Sequence, residues 1–324
     1  MKPFGKEWKH SNKNLVKERG FLMGKVYDGI MGLVVGDALG VPYEFRQRDT
    51  FKAVDMIGYG TYNQPVGTWS DDSSMTLATL TSIWNRGKID LRDIMNNFVL
   101  WYMYGMFTPY GSVFDVGNTT RKAIMTYLQN GKDHTNCRCR DFNDNGNGSL
   151  MRILPLAFTD CNMTDVFEVS ALTHAHSVSQ VACGIYFNVA QYLIKGSSKH
   201  EAVEFALDKS GGVPAEFERI EIINTSPVSR DEIKSSGYVV DTLEAALWCF
   251  LNTDSFKECV LTAVNLGEDT DTVAAVAGGL AGIYYGTGGE KGIPEEWINQ
   301  IAKHKDIADL CAMFENEFNT GGAS

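Results

Sequence analysis

Long hydrophobic runs are missing from this chain. The longest apolar run, Val273 to Tyr285, is 13 residues, short of the roughly 20 that a membrane-spanning helix needs. No secretory signal is visible either, because the first 25 residues carry seven Lys or Arg and no continuous apolar core. Cys-x-x-Cys pairs are absent, and seven cysteines scattered from Cys137 to Cys311 form no disulfide framework. A cytoplasmic protein in a reducing compartment is therefore expected. Cys183, Cys249 and Cys259 fall in apolar helical patterns as small hydrophobes. His134, Cys137 and Cys139 lack the fourth ligand and the spacing of a zinc site and read as a polar surface loop. Basic residues are outnumbered, 29 against 40 acidic, for a net charge of −11. A nucleic-acid partner, which favours a basic surface, is not expected, and neither is a membrane. Strand-like alternation never persists beyond a few residues, so the expectation is an all-α fold in one domain without internal repeats.

Glycine, by contrast, is placed with care. Gly29, Gly32, Gly36 and Gly40 recur at three- and four-residue steps through an apolar stretch beginning at Val26, and Gly278, Gly282 and Gly286 do the same later. Each glycine costs a helix about 1 kcal/mol against alanine. Stripes of them predict two helices packed backbone to backbone at the centre of the fold. Further helices are expected over 90–106, from Thr119, over 166–173, 178–194, 241–250 and 256–266, and a last one over 298–318. Residues 41–69 read as a long irregular loop with a functional role, and 196–238 as a surface crossing. The expected organisation is a basic extension at 1–22, a helical domain at 23–318 and a frayed tail at 319–324.

Two acidic clusters open apolar helices. One is Ser70, Asp71 and Asp72; the other is Asp269, Asp271 and Thr272. One carboxylate at a helix start is an ordinary cap. Two dense clusters that meet in space must take up protons or bind cations. Their all-oxygen donors suit Mg²⁺, Mn²⁺ or Ca²⁺, and five or six such ligands suit a pair of ions. The stretch 144–149, Asp-Asn-Gly-Asn-Gly-Ser, has the glycines of an anion cradle, and a helix starting near Leu150 would add its dipole. Glu44 and Asp115 lie in glycine- or proline-rich loops and are candidates for acid–base work. His174 and His176, two apart at a helix break, are expected to point in different directions.

Taken in order, Gly36-Asp37-Ala38-Leu39-Gly40 with Glu44, Gly67-Thr68-Trp69-Ser70-Asp71-Asp72, Phe114-Asp115-Val116-Gly117, Gly146 through Arg152, Thr173-His174-Ala175-His176 and Gly267 through Thr272 form one ordered set. That set resembles the ADP-ribosylglycohydrolase family across roughly residues 27–285. The resemblance implies a compact orthogonal helical domain holding two Mg²⁺ or Mn²⁺ ions. It implies Ser70, Asp71, Asp72, Asp269, Asp271 and Thr272 as metal ligands, with Glu44 and Asp115 as the catalytic carboxylates. It implies Gly146, Asn147, Gly148, Ser149 and Met151 around the ADP-ribose phosphates, and His174 or His176 near the nucleotide. The implied reaction removes ADP-ribose from a modified protein side chain, arginine foremost by analogy with the nitrogenase-regulating members, by a protein expected to be monomeric. Ser70 departs from the family's usual threonine, keeping the hydroxyl and losing the methyl. The basic extension is outside the pattern. Two other readings stay open: a two-metal phosphoesterase, and a non-catalytic ADP-ribose-binding or immunity protein.

Overall fold

A computed structural model of the chain describes residues 24–209 and 214–319. Its α-helices are α1 (Lys25–Gly40), α2 (Asp71–Arg86), α3 (Leu91–Tyr104), α4 (Asn118–Gln129), α5 (Met163–Ala171), α6 (Ser177–Ile194), α7 (Lys199–Lys209), α8 (Glu218–Thr225), α9 (Val239–Leu251), α10 (Phe256–Val264), α11 (Thr270–Tyr285), α12 (Glu295–Gln300) and α13 (His304–Asn319). Among the described residues the only β features are isolated bridges, so the all-α expectation holds. No described helix is long and apolar enough to cross a membrane.

The two glycine-striped helices, α1 and α11, form the centre. Every residue of α1 from Val26 to Gly40 is buried, as is every residue of α11 from Thr270 to Ile283. Their backbones touch. A Cβ added at Gly32 would sit 2.3 Å from Gly278 O, one at Gly36 2.1 Å from Ala274 O, and one at Gly282 2.1 Å from Asp28 O. This contact brings Asp37, near the end of α1, to the start of α11, and α2 packs beside them with its own N-terminus at the same place.

Several elements differ from expectation. The segment 196–238 carries α7 and α8, which bury Ala202, Val203, Ala206, Leu207, Ile220 and Ile223. Their apolar faces are narrow and set among charged residues, so the periodic signal is weak. The last helix is two, α12 and α13, parted at a left-handed Lys303 (φ 54°). Ala302 N–H donates to Gly67 O and the Lys303 ammonium to Thr108 O, so distant loops impose the break. No α-helix begins at Leu150. One-turn 3₁₀ segments occupy Asn147–Ser149 and Leu154–Phe158, the latter with Pro155 in its first turn. Cys137 and Cys139 belong to the core rather than to a polar surface loop, at 2% and 4% exposure. The expected extension at 1–22 lies outside the described residues, as does the expected tail beyond Asn319.

Candidate active site

The site is built where the N-termini of α2 and α11 meet the end of α1. Asp37 reaches across from α1 and acts as a cap for α2. Its Oδ1 accepts from Ser70 N–H (2.9 Å), and its Oδ2 accepts from Ser73 N–H (3.0 Å) and the Ser73 hydroxyl. That leaves the Ser70 hydroxyl free to donate to Asp72 Oδ2 at 2.9 Å, and the Thr272 hydroxyl donates to the same oxygen at 3.4 Å. The two expected clusters are therefore one cluster. An oxygen from each of Asp37, Asp72 and Asp271 lies within 4.8 Å of the others, and so does one from each of Glu44, Asp115 and Asp271. Asp271 belongs to both groups.

Long-range bonds hold the loops that supply Glu44 and Asp269. Phe45 N–H donates to Glu268 O at 2.7 Å and Glu268 N–H to Arg46 O at 2.8 Å. The Arg48 guanidinium donates to the carbonyls of Leu266, Arg230 and Ile233 at 2.7, 2.9 and 2.6 Å. Gly267 (φ 80°) must be glycine here, because a Cβ would fall 2.6 Å from Arg48 N. Asp115 reaches the site from a left-handed backbone position, φ 49°. Tyr62 lies beside both Glu44 and Asp115, with its ring against Phe114 at 5.0 Å.

Burial is the main electrostatic fact. It holds Asp71, Asp72 and Asp271 well above the ordinary carboxylate range, and the charges of their neighbours add to it. Burial and then the Asp115 charge push Glu44 up to about 9. Asp37 rises to about 6 through burial, against the hydrogen bonds from Ser73 and Ser70. Glu44 Oε2, Asp72 Oδ1 and Asp271 Oδ2 are buried without a hydrogen-bond partner among the described residues. An unsatisfied buried polar atom costs about 1–3 kcal/mol. Hard divalent cations accept this kind of all-carboxylate donor set, so the residues present fit a metal, and the buried acidic cluster could bind one.

The glycine-rich loop adjoins the cluster. Asn147 Nδ2 donates to Asp269 Oδ2 at 2.8 Å, tying loop to acid. Gly146, Asn147 and Gly148 are half-buried, while Ser149 and Met151 lie in the core, with Ser149 Oγ accepting from Ser170 at 3.0 Å. The histidines do diverge. His174 is buried behind the loop: a Cβ at Gly148 would lie 2.9 Å from its Cε1. His176 caps α6 by accepting from Val178 N–H, and its ring meets Phe142 edge-on at 6.0 Å.

This geometry accords with comparison to known proteins. The family model for ADP-ribosylglycohydrolase matches residues 20–323. The chain belongs to the ADP-ribosylglycohydrolase family. It is 35% identical over 312 residues to an ADP-ribosylarginine hydrolase Tri1 of Serratia proteamaculans, covering 94% of this chain and 82% of that protein. It is 32% identical over 281 residues to the ADP-ribosyl-[dinitrogen reductase] glycohydrolase of Rhodospirillum rubrum, covering 84% of this chain and 88% of that one. A solved structure titled ADP-ribosylglycohydrolase-related protein complex superposes with a TM-score of 0.76 at 29% identity, over 91% of this chain and 98% of that one.

Sequence reading gave no role in this glycohydrolase to Asp37, Tyr62, Thr120 or Arg152. For Asp37 a signal existed, since a carboxylate late in a largely apolar, glycine-striped helix, well apart from Asp28 in its first turn, needs partners. Arg152 offered a similar signal, a cation amid Leu150-Met151 and Ile153-Leu154. Tyr62 offered none, and neither did Thr120, whose Oγ1 would lie 3.0 Å from a Cβ on Gly148, because only the packing of distant segments brings them there.

Proposed function

We propose that this glycohydrolase cleaves the bond between ribose C1″ of ADP-ribose and the protein side chain that carries it, an arginine. One observation carries the reading: two groups of buried carboxylates, joined through Asp271, lie beside a glycine-rich loop, and Glu44, Asp72 and Asp271 each keep an oxygen without a hydrogen-bond partner among the described residues. The arginine linkage draws on the relatives named ADP-ribosylarginine hydrolase, at 35% identity.

Ser70, Asp71, Asp72, Asp269, Asp271 and Thr272 would hold two ions, Mg²⁺ or Mn²⁺. Such ions supply positive charge that offsets the carboxylates and orients the ribose hydroxyls. Gly146, Asn147 and Gly148 form the wall for the diphosphate, with loop N–H groups as donors, and Ser149 and Met151 back that wall from the core. His176 lies on the nucleotide side, and His174 stands behind the loop. Glu44 and Asp115 stand within 4.8 Å of each other and divide the proton work. One takes a proton from the attacking water as C1″ gains oxocarbenium character, and the leaving guanidino nitrogen receives one. Water is consumed, its oxygen ends on C1″, and free ADP-ribose leaves.

The test compares matched peptides ADP-ribosylated on arginine or on serine, with products separated by chromatography. ADP-ribose released from the arginine peptide is the expected result. Release from serine alone would overturn the linkage, and phosphate or AMP as product would replace the hydrolase with a phosphoesterase.

A further inference from the structure

Arg152 follows the glycine-rich loop and has no exposed surface. Buried charges normally meet an opposite charge. Here the guanidinium instead lies over the Phe98 ring at 4.6 Å, and its Nε and Nη1 make no hydrogen bond among the described residues. Only Nη2 is engaged, donating to Val169 O at 3.2 Å and to Thr173 Oγ1 at 2.8 Å. A cation kept at this cost makes its one side-chain partner worth following.

The protons on that path can be counted. A guanidinium only donates, so Thr173 Oγ1 is the acceptor. Among the described residues the threonine's own hydrogen has one acceptor in reach, His174 Nδ1 at 2.7 Å. An imidazole whose Nδ1 accepts carries its hydrogen on Nε2. Burial and then the Arg152 charge keep the ring neutral, its pKa lowered to about 3. Nε2 has no partner among the described residues. It faces the loop, at 3.6 Å and 3.4 Å from where a Cβ would stand on Gly146 and Gly148. The same Gly148 position is 3.0 Å from Thr120 Oγ1, in the first turn of α4. That helix has no side-chain cap and no acidic residue in its first turn.

We propose that Arg152 is a positioning residue: through Thr173 it fixes His174 as the Nε2–H tautomer, so that a neutral donor faces an oxyanion of the substrate held by the glycine-rich loop. On the function proposed above, on which this last step rests, the oxyanion belongs to the diphosphate of ADP-ribose. The opposite tautomer would turn a lone pair on the same oxygen and repel it.

The experiment is ¹⁵N NMR of the histidine rings in the full chain, paired with titration by ADP-ribose. In the wild type, His174 shows an acceptor-type Nδ1 and a protonated Nε2. Thr173→Val populates the other tautomer and weakens ADP-ribose binding about tenfold, the loss appearing in KM more than in kcat, and Thr173→Ser restores both. Arg152→Gln gives the same tautomer change if it folds, and the Thr173 pair decides the matter if it does not. A protonated Nδ1 in the wild type, or unchanged tautomer and affinity in Thr173→Val, overturns the proposal. A wild type with the expected tautomer that binds no ADP-ribose upholds the relay and removes the function proposed for the loop.

Discussion

Asp271 contributes an oxygen to both groups of converging carboxylates, and its Oδ2 has no hydrogen-bond partner among the described residues. Replacing it with asparagine keeps the shape and removes the charge. Asp271→Asn is expected to lower kcat at least about a hundredfold. It is also expected to raise the melting temperature of the metal-free protein, because a like charge leaves a buried cluster. Activity assays and thermal melts of one preparation check both halves. A loss of activity with lower metal-free stability would mark Asp271 as a structural residue. Glu44→Gln and Asp115→Asn are each expected to cost about 10²–10⁴ in kcat, read from single-turnover release. Wild-type rates in both would remove them from the proton work. At this scale the acidic residues were legible, since clusters of hydroxyls and carboxylates before apolar helices exceed what capping requires. The role of Asp37 was not, because its partners Ser70 and Ser73 lie 33 and 36 residues away.

The close approach of α1 and α11 sets the position of the acids these elements carry. A Cβ at Gly36 would stand 2.1 Å from Ala274 O, a backbone atom that cannot move aside alone. Gly36→Ala is expected to destabilise the fold by about 1–3 kcal/mol and to weaken metal binding, since Asp37 and Asp271 flank that contact. Gly117→Ala, where the nearest atom would be 3.8 Å away, is the control, expected within about 0.5 kcal/mol. Urea unfolding of both variants makes the comparison, and a loss at Gly36 no larger than at Gly117 would show that the backbone contact does not decide. The glycine stripes could be read from sequence because their spacing matches the helix period. The break between α12 and α13 could not, because Gly67 and Thr108 impose it from other parts of the chain.

For the molecule as a whole, the buried carboxylates link stability to pH and metal. Asp37 and Glu44 start from 3.8 and 4.5 and rise to about 6 and about 9. A folded pKa above the unfolded one contributes stability that is complete below the unfolded value and is lost as pH rises through the folded value. The metal-free protein is therefore expected to lose stability from about pH 4 to about pH 9, with the share of Asp37 gone by about pH 6 and that of Glu44 continuing to about pH 9. His174 works in the opposite sense. Its pKa falls from 6.5 to about 3, so its contribution is present above the unfolded value and is lost as pH falls toward the folded one. Mn²⁺ or Mg²⁺ is expected to raise the melting temperature more at about pH 8 than at about pH 5.5, where protons compete for the same oxygens. Melts across pH with and without metal measure this, and a stabilisation independent of pH would contradict it.

The most direct test of the whole account is ADP-ribose release from an arginine-ADP-ribosylated protein, measured with Mn²⁺, with Mg²⁺, with chelator, and with Asp271→Asn. The account predicts release that depends on added metal, stops with chelator and is lost in the variant. Release that continues undiminished in chelator, or in Asp271→Asn, would contradict it.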